Sequence, residues 1–184
     1  MHRDQNKAQQ ISKYLQMLEQ WRRAMDLIGP GPAEPHLQDC LNAAQLLHPT
    51  GHWVDLGSGA GLPGILFAIE HPEVSLDLVE SRQKRAVFLR RVCSALTLAN
   101  VSVLHTRTET LTKRYDGVIS RAYKPPLEFL KDAAEIGAER CTAVCMLGSE
   151  TDFQLPNNWL LIEEHLYPVT DGFRKLWELR RAPH

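Results

Sequence analysis

Apolar positions set a rhythm along this chain. Ile11, Tyr14, Leu15, Leu18, Trp21, Met25 and Ile28 recur at the helical period, which predicts one amphipathic helix over 5–28. Gly29-Pro30-Gly31-Pro32 breaks it. Leu37, Cys40, Leu41, Ala44 and Leu47 share one face of a second helix over 34–48, which Pro49-Thr50-Gly51 ends. Short apolar runs then alternate with helical stretches. Strands are predicted at 52–56, 74–80, 101–105, 115–120 and 141–147, and helices at 62–70, 83–97 and 126–137. That alternation predicts a parallel sheet with helices on both faces. Two closing strands, 158–166 and 173–181, joined through Pro168 to Gly172, predict an antiparallel hairpin at a sheet edge. The expected fold is therefore α/β and Rossmann-like: a mostly parallel seven-stranded sheet with a C-terminal antiparallel hairpin and an N-terminal helical cap. With 184 residues the chain holds one substantial core. We expect a single domain over 1–184, with 1–48 as cap and 49–184 as ligand-binding core.

Where the first strand meets the next helix, the sequence reads Val54-Asp55-Leu56-Gly57-Ser58-Gly59-Ala60-Gly61-Leu62-Pro63-Gly64. Glycine has no Cβ to block a ligand, so such a turn brings backbone N–H groups close to it, beside a helix N-terminus. Two patterns fit. Residues 59–64 satisfy G-x-G-x-x-G, the dinucleotide fingerprint. Residues 55–61 satisfy D-x-G-x-G-x-G, the pattern of S-adenosylmethionine (SAM) methyltransferases. Asp55 separates them. A carboxylate facing the site suits a cofactor that carries an ammonium and a sulfonium, and it opposes a pyrophosphate. A SAM enzyme is favoured over an NAD-linked oxidoreductase, which would also need a substrate domain and an acid–base pair that the sequence does not display.

Composition is that of an ordinary globular chain, 43% hydrophobic and 23% charged. No apolar run reaches the length of a membrane span, and the first residues are too polar for a secretory signal. A cytoplasmic, non-membrane, monomeric protein is expected. Cys40, Cys93, Cys141 and Cys145 show neither C-x-x-C nor zinc spacing and read as reduced thiols. The eight histidines contain no H-E-x-x-H, so no metal is expected. Net charge is −1, yet residues 82–131 carry eleven Lys or Arg against three acids, a local +8. A basic segment in a near-neutral chain is the footprint of a phosphate-facing surface or of a solvated helix face.

Ligands in open α/β sheets lie at the C-terminal strand ends. The first strand delivers Asp55 and Gly57, with Ser58 following. The second delivers Glu80, an acid placed to accept both hydroxyls of a ribose. The third leads to Arg107-Thr108-Glu109, where a loop would lie against an adenine. The fourth ends in Ser120-Arg121-Ala122-Tyr123, and Arg121 stands where cofactor and substrate meet, able to pair with a carboxylate or an RNA phosphate. The [ND]-P-P-[FYW] signature of exocyclic-amine methyltransferases is missing here. A target nitrogen that needs no deprotonation fits better.

With these pieces placed, the chain resembles the small-subunit ribosomal RNA N7-guanine methyltransferases, the RsmG (GidB) family. The similar stretches are Met17-Leu18-Glu19-Gln20-Trp21, Asp55 to Ile65, Lys84-Arg85-Ala86-Val87-Phe88-Leu89 and Val118-Ile119-Ser120-Arg121-Ala122-Tyr123. The resemblance implies a SAM-dependent enzyme acting on a guanine of 16S rRNA, naked or in an assembling subunit. It implies cofactor contacts from Gly57, Leu62, Thr108, Glu109 and Arg121, to which the glycine turn and the strand ends add Asp55, Ser58, Gly59, Gly61 and Glu80. Lys84 and Arg107 match basic positions of the family near the site, and with Arg85 and Lys124 they are expected to hold the RNA backbone. No general base is assigned, because guanine N7 already presents a lone pair. The chain departs from the family at Leu147-Gly148, where Lys-Gly is usual, and at Asp26-Leu27-Ile28, where Asn-Leu-Thr is usual. The alternative reading is a divergent paralogue that binds SAM or RNA without this activity, or that methylates another substrate.

Overall fold

The computed structural model describes residues 2–25, 27–29 and 31–183, without the side chains of residues 2 and 23–25. Its helices are α1 (His2–Met25), α2 (Glu34–Leu46), α3 (Gly64–Glu70), α4 (Gln83–Leu96) and α5 (Pro126–Ile136). Its strands are β1 (His52–Leu56), β2 (Ser75–Val79), β3 (Val101–Leu104), β4 (Tyr115–Ser120), β5 (Gly137–Gly148), β6 (Trp159–Val169) and β7 (Gly172–Arg181). The seven strands form one sheet in the order β3-β2-β1-β4-β5-β7-β6. β1 to β5 are parallel, and β7 runs antiparallel between β5 and β6. The chain moves outward from β1 to β3, then returns to β4 on the other side of β1. The C-terminal ends of β1 and β4 thus flank the switch point where this architecture binds ligands.

The pleat of β1 divides the core. Val54 and Leu56 point to the face covered by α5, where Phe129, Leu130 and Ala133 are buried. Trp53 points to the opposite face, against Phe67 of α3 with ring centroids 5.1 Å apart, within a cluster that also takes in α1, α2 and α4. Helices cover both faces, as the alternation predicts, but four lie on one side and one on the other.

Element bounds shift by a few residues from the sequence reading, and three of the shifts have a local reason. α1 ends at Met25, where Leu27 N–H donates to Arg22 O at 3.2 Å and closes the last turn. Ile28 lies beyond the helix, and Asp26 lies outside the described residues. α3 starts at Gly64 because Gly61 to Pro63 still belong to the turn, and Pro63 has no N–H to donate. β5 begins at Gly137, directly after α5 with no intervening loop, and a register shift between Tyr115 and Gly117 of β4 absorbs the extra residues. Among the described residues the four cysteines are free thiols, and no helix is long and apolar enough to cross a membrane.

Gly117 shows how tightly the sheet centre is packed. A Cβ there would meet the Trp53 ring at 2.1–2.5 Å, and that indole is 3% exposed. Gly117→Ala should lower the unfolding free energy by about 1–3 kcal/mol through overpacking. A urea midpoint that drops without a change in slope checks it.

Candidate cofactor site

The turn after β1 takes three residues through left-handed backbone: Gly57 (φ +66), Gly59 (φ +55) and Gly61 (φ +95). Side chains rarely adopt that conformation, and the space is taken as well. A Cβ on Gly57 would meet the Tyr123 ring at 2.5 Å, and one on Gly61 would meet Ile65 at 2.6 Å. The turn's own donors and acceptors are paired inward. Ser58 N–H donates to Val79 O at 2.9 Å, Ser58 Oγ to Asp55 O at 2.9 Å, and Gly61 N–H to Ser58 O at 2.6 Å. From α1, the Tyr14 hydroxyl donates to Ala60 O at 2.9 Å, so the cap grips the turn directly.

Two cavities open on either side of Gly57. One, of about 330 Å³, is lined by Gly57, Ser58, Gly59, Ala60 and Leu62, by Arg85, Arg121 and Ala122, and by Leu27 to Gly29 and His36 of the cap. The other, of about 310 Å³, is lined by Gly57, Val79, Ser81, Thr106 to Glu109, Tyr123 and Lys124. Gly57 is the wall they share. A larger cavity of about 720 Å³ lies at the opposite ends of the strands, around Gly137, Trp159 and Arg181. The pair at the C-terminal strand ends is the candidate site, because the turn's backbone and the switch point are there.

The structure brings most of the expected residues together and reassigns some. Asp55 does not face the cavities. It is 1% exposed, on the face of β1 opposite Val54, and its Oδ2 accepts the Gly64 N–H at 3.2 Å beneath α3. Burial pushes its carboxyl up to about 7, so it is no fixed anion for a cationic ligand. Glu80 is also buried, with Oε2 accepting Gly59 N–H at 3.0 Å and Oε1 accepting Arg82 N–H at 2.7 Å. Each of its oxygens keeps a further lone pair. Gly61 packs against Ile65, Leu89 and Tyr14 and lines neither cavity. Thr108 and Glu109 form a 3-10 turn on the second cavity, with Arg107 beside them. Lys84 stands exposed in the first turn of α4 and Arg85 lines the first cavity. Lys124 is already engaged: its Nζ donates to Asp132 at 2.6 Å, which raises its pKa and takes up its charge. The RNA role expected of it is thereby weakened.

Arg121 is held from both sides. Its Nε lies 3.4 Å from Asp39 Oδ2, and Asp39 Oδ1 accepts the Tyr167 hydroxyl at 2.9 Å. Its Nη2 lies 2.9 Å from His36 Nδ1. A guanidinium only donates, so Nδ1 accepts and the ring proton sits on Nε2. Burial, and then Arg121 itself, lower the His36 pKa and keep the ring neutral. Sequence reasoning passed over His36 and Tyr123. His36 is one of eight histidines with no motif around it. Tyr123 lies over Gly57, with its hydroxyl 2.9 Å from Thr108 Oγ1 and 3.0 Å from Asp132 Oδ2. Its only sequence signal is its place two residues after Arg121.

A glycine cradle that no Cβ can enter, an arginine fixed at one end and a polar loop at the other fit an elongated ligand with a carboxylate and an adenosine. SAM is such a ligand.

Comparison with known proteins agrees. The GidB family, rRNA small subunit methyltransferase G, matches residues 7–156. Ribosomal RNA small subunit methyltransferase G of Pseudomonas aeruginosa (strain LESB58) is 32% identical over 97% of this chain and 89% of its own length. Its namesake in Pseudomonas syringae pv. syringae (strain B728a) is 33% identical over 95% of this chain and 86% of its own. Among solved structures, magnesium protoporphyrin IX methyltransferase from Synechocystis PCC 6803 with bound SAM superposes with a TM-score of 0.64 at 15% identity, covering 94% of this chain and 97% of that one. A putative methyltransferase, yhhF from Escherichia coli, reaches 0.61 at 18% identity, covering 85% and 90%.

The buried Asp55 predicts a pH effect. Its folded pKa lies above that of an unfolded aspartate, near 3.9, so the native state holds the proton more tightly. Its contribution to stability is full below the unfolded value and is lost as pH rises to about 7. Relative to Asp55→Asn, the wild type should lose unfolding free energy on the order of a few kcal/mol between about pH 4 and 7. Paired urea denaturations across that range check the difference.

Proposed function

Because the chain belongs to the GidB family, rRNA small subunit methyltransferase G, we propose that it transfers the methyl group of SAM to N7 of a guanine in small-subunit rRNA. The observation that carries the reading is the pair of cavities meeting at Gly57, with Arg121 fixed at the edge of one. We assign the methionine end of the cofactor to the first cavity, where Gly57, Ser58, Gly59 and Leu62 supply the wall and Arg121 a partner for its carboxylate. The adenine end falls to Thr108 and Glu109, and the remaining lone pairs of Glu80 would take the ribose hydroxyls. SAM, when bound, supplies an electrophilic methyl group on a sulfonium. Residues 1–48 serve as cap and the rest as core of one unit. It is expected to work as a monomer in the cytoplasm, where the rRNA is.

Guanine N7 is an unprotonated acceptor, so no residue has to remove a proton. The chain's task is positioning. Arg121 needs little rearrangement to act, because Asp39 and His36 already hold it. Lys84 and Arg85, in the first turn of α4, and Arg107, after β3, would hold the RNA backbone. The guanine must be unstacked to reach the site. A second reading, SAM binding without transfer, draws on Leu147, which is 6% exposed and packed on the α5 side where the family resemblance expects a lysine.

Small-subunit rRNA from cells lacking this gene, incubated with the protein and methyl-labelled SAM, should gain label in 7-methylguanosine and nowhere else. The yield should fall as salt rises. Label in another nucleotide, or none while SAM still binds, overturns the guanine assignment. Arg121→Ala should weaken SAM binding about 10- to 100-fold, the size of one charged hydrogen bond, as read by calorimetry.

A further inference from the structure

The methyltransferase reading leaves one cluster unused. β6 slips by one residue against β7 between Leu161 and Glu163. The slip moves Glu163 off the face it would share with Leu161 and sets it directly opposite Glu178. Like charges directly opposite on paired strands are unfavourable. Among the described residues, neither carboxylate has a Lys or Arg salt-bridge partner, and what stands between them is His165. Its Nε2 lies 3.6 Å from Glu163 Oε1 and 3.5 Å from Glu178 Oε1. The three ligand atoms all lie within 4.8 Å of one another. That Nε2 is shielded from solvent and makes no hydrogen bond.

These separations do not suit a closed ion pair, in which charged N–H···O distances contract to about 2.7–2.9 Å. The two histidine–carboxylate separations match those of neighbouring ligands on a shared metal ion. Zinc bonds of about 2.0–2.2 Å to nitrogen and carboxylate oxygen place neighbouring ligand atoms roughly 3.3–3.5 Å apart in a tetrahedron. We propose that Glu163, His165 and Glu178 bind one divalent transition-metal ion of the zinc class across the β6–β7 hairpin. An imidazole with two carboxylates favours zinc, cobalt or manganese over calcium or magnesium, which prefer oxygen alone. The ion neutralises the opposed carboxylates and ties the two strands together, two residues from Tyr167, which holds Asp39. The sequence reading expected no metal because it sought ligands spaced along one segment. Ligands spread over two strands and brought together by a bulge leave no such spacing.

The test uses the full chain, stripped with a chelator and titrated with zinc chloride by calorimetry. One equivalent should bind with micromolar affinity or better and raise the melting temperature. His165→Asn and Glu178→Gln should each weaken binding at least tenfold, while SAM affinity stays at the wild-type value and the melting temperature in chelator does not fall, Glu178→Gln relieving the opposed charges. Should His165→Asn not fold, Glu163→Gln, at an exposed position, carries the same expectation. Cobalt should give weak visible bands of nitrogen and oxygen ligation. Three results overturn the site: no stoichiometric binding of zinc, cobalt or manganese, equal binding by the folded variants, or an intense near-ultraviolet thiolate band that assigns the metal to a cysteine.

Discussion

Two buried carboxylates hold the turn on which the cofactor site is built. A turn with three left-handed glycines cannot pair its N–H groups within a helix or a sheet ladder, yet buried N–H groups must find acceptors. Asp55 accepts from Gly64 on one side of the turn, and Glu80 accepts from Gly59 and Arg82 on the other. The parallel register makes this possible. Leu56 pairs with Val79, so the turn after β1 lies beside the residue that follows β2. Val79 supplies its carbonyl to Ser58, and Glu80 supplies its carboxylate to the next glycine. Strand pairing, turn shape and cavity wall are thus one arrangement. Its cost is an aspartate buried with Oδ1 unpartnered.

From that turn the site extends through elements distant in sequence. Arg121 follows β4, His36 and Asp39 sit on α2, and Tyr167 is near the end of β6. The hairpin therefore contributes to holding the guanidinium at the cavity edge, although it lines neither cavity. Tyr14 does the same for the glycine turn from α1. α1, α2 and the hairpin are thus tied by hydrogen bonds and ion pairs to the candidate site. For a reaction at a lone pair that needs no proton removed, fixing donors in advance is the main contribution a protein can make.

The legible part of this molecule was what periodicity and turn chemistry encode locally. Strand and helix order, the edge hairpin, the glycine turn, and the places of Arg121, Thr108 and Glu109 all followed from short stretches of sequence. Asp55 is misread in the sequence because the D-x-G-x-G-x-G spacing says only that an acid is present at a strand end, whereas the pleat decides which face it takes. Its neighbours Val54 and Leu56 point to α5, so Asp55 points beneath α3. The pairing of Lys124 is not legible in the sequence, because its partner Asp132 lies on the next helix. His36 was invisible because its meaning comes from an arginine 85 residues away.

Charge counting shows the same limit and sharpens the picture of the RNA surface. The basic segment over 82–131 is not one patch. Lys113 is paired with Asp77 and Lys124 with Asp132. Arg114 donates to the carbonyl of Glu135, Arg91 stacks over Trp21, and Arg121 is held inside the site. Lys131 borders the cavity at the opposite strand ends. Arg90 donates to the carbonyl of Val103. Around the mouth stand Arg82 and Lys84 at the start of α4, Arg85 on the wall of the first cavity and Arg107 after β3. If these cations hold the RNA as proposed, they reach only a few phosphates, and non-specific attraction would contribute modestly to affinity. Selection of the target must then come from the shape of the RNA around an unstacked base, which suits an enzyme whose substrate is a folded rRNA rather than any single strand.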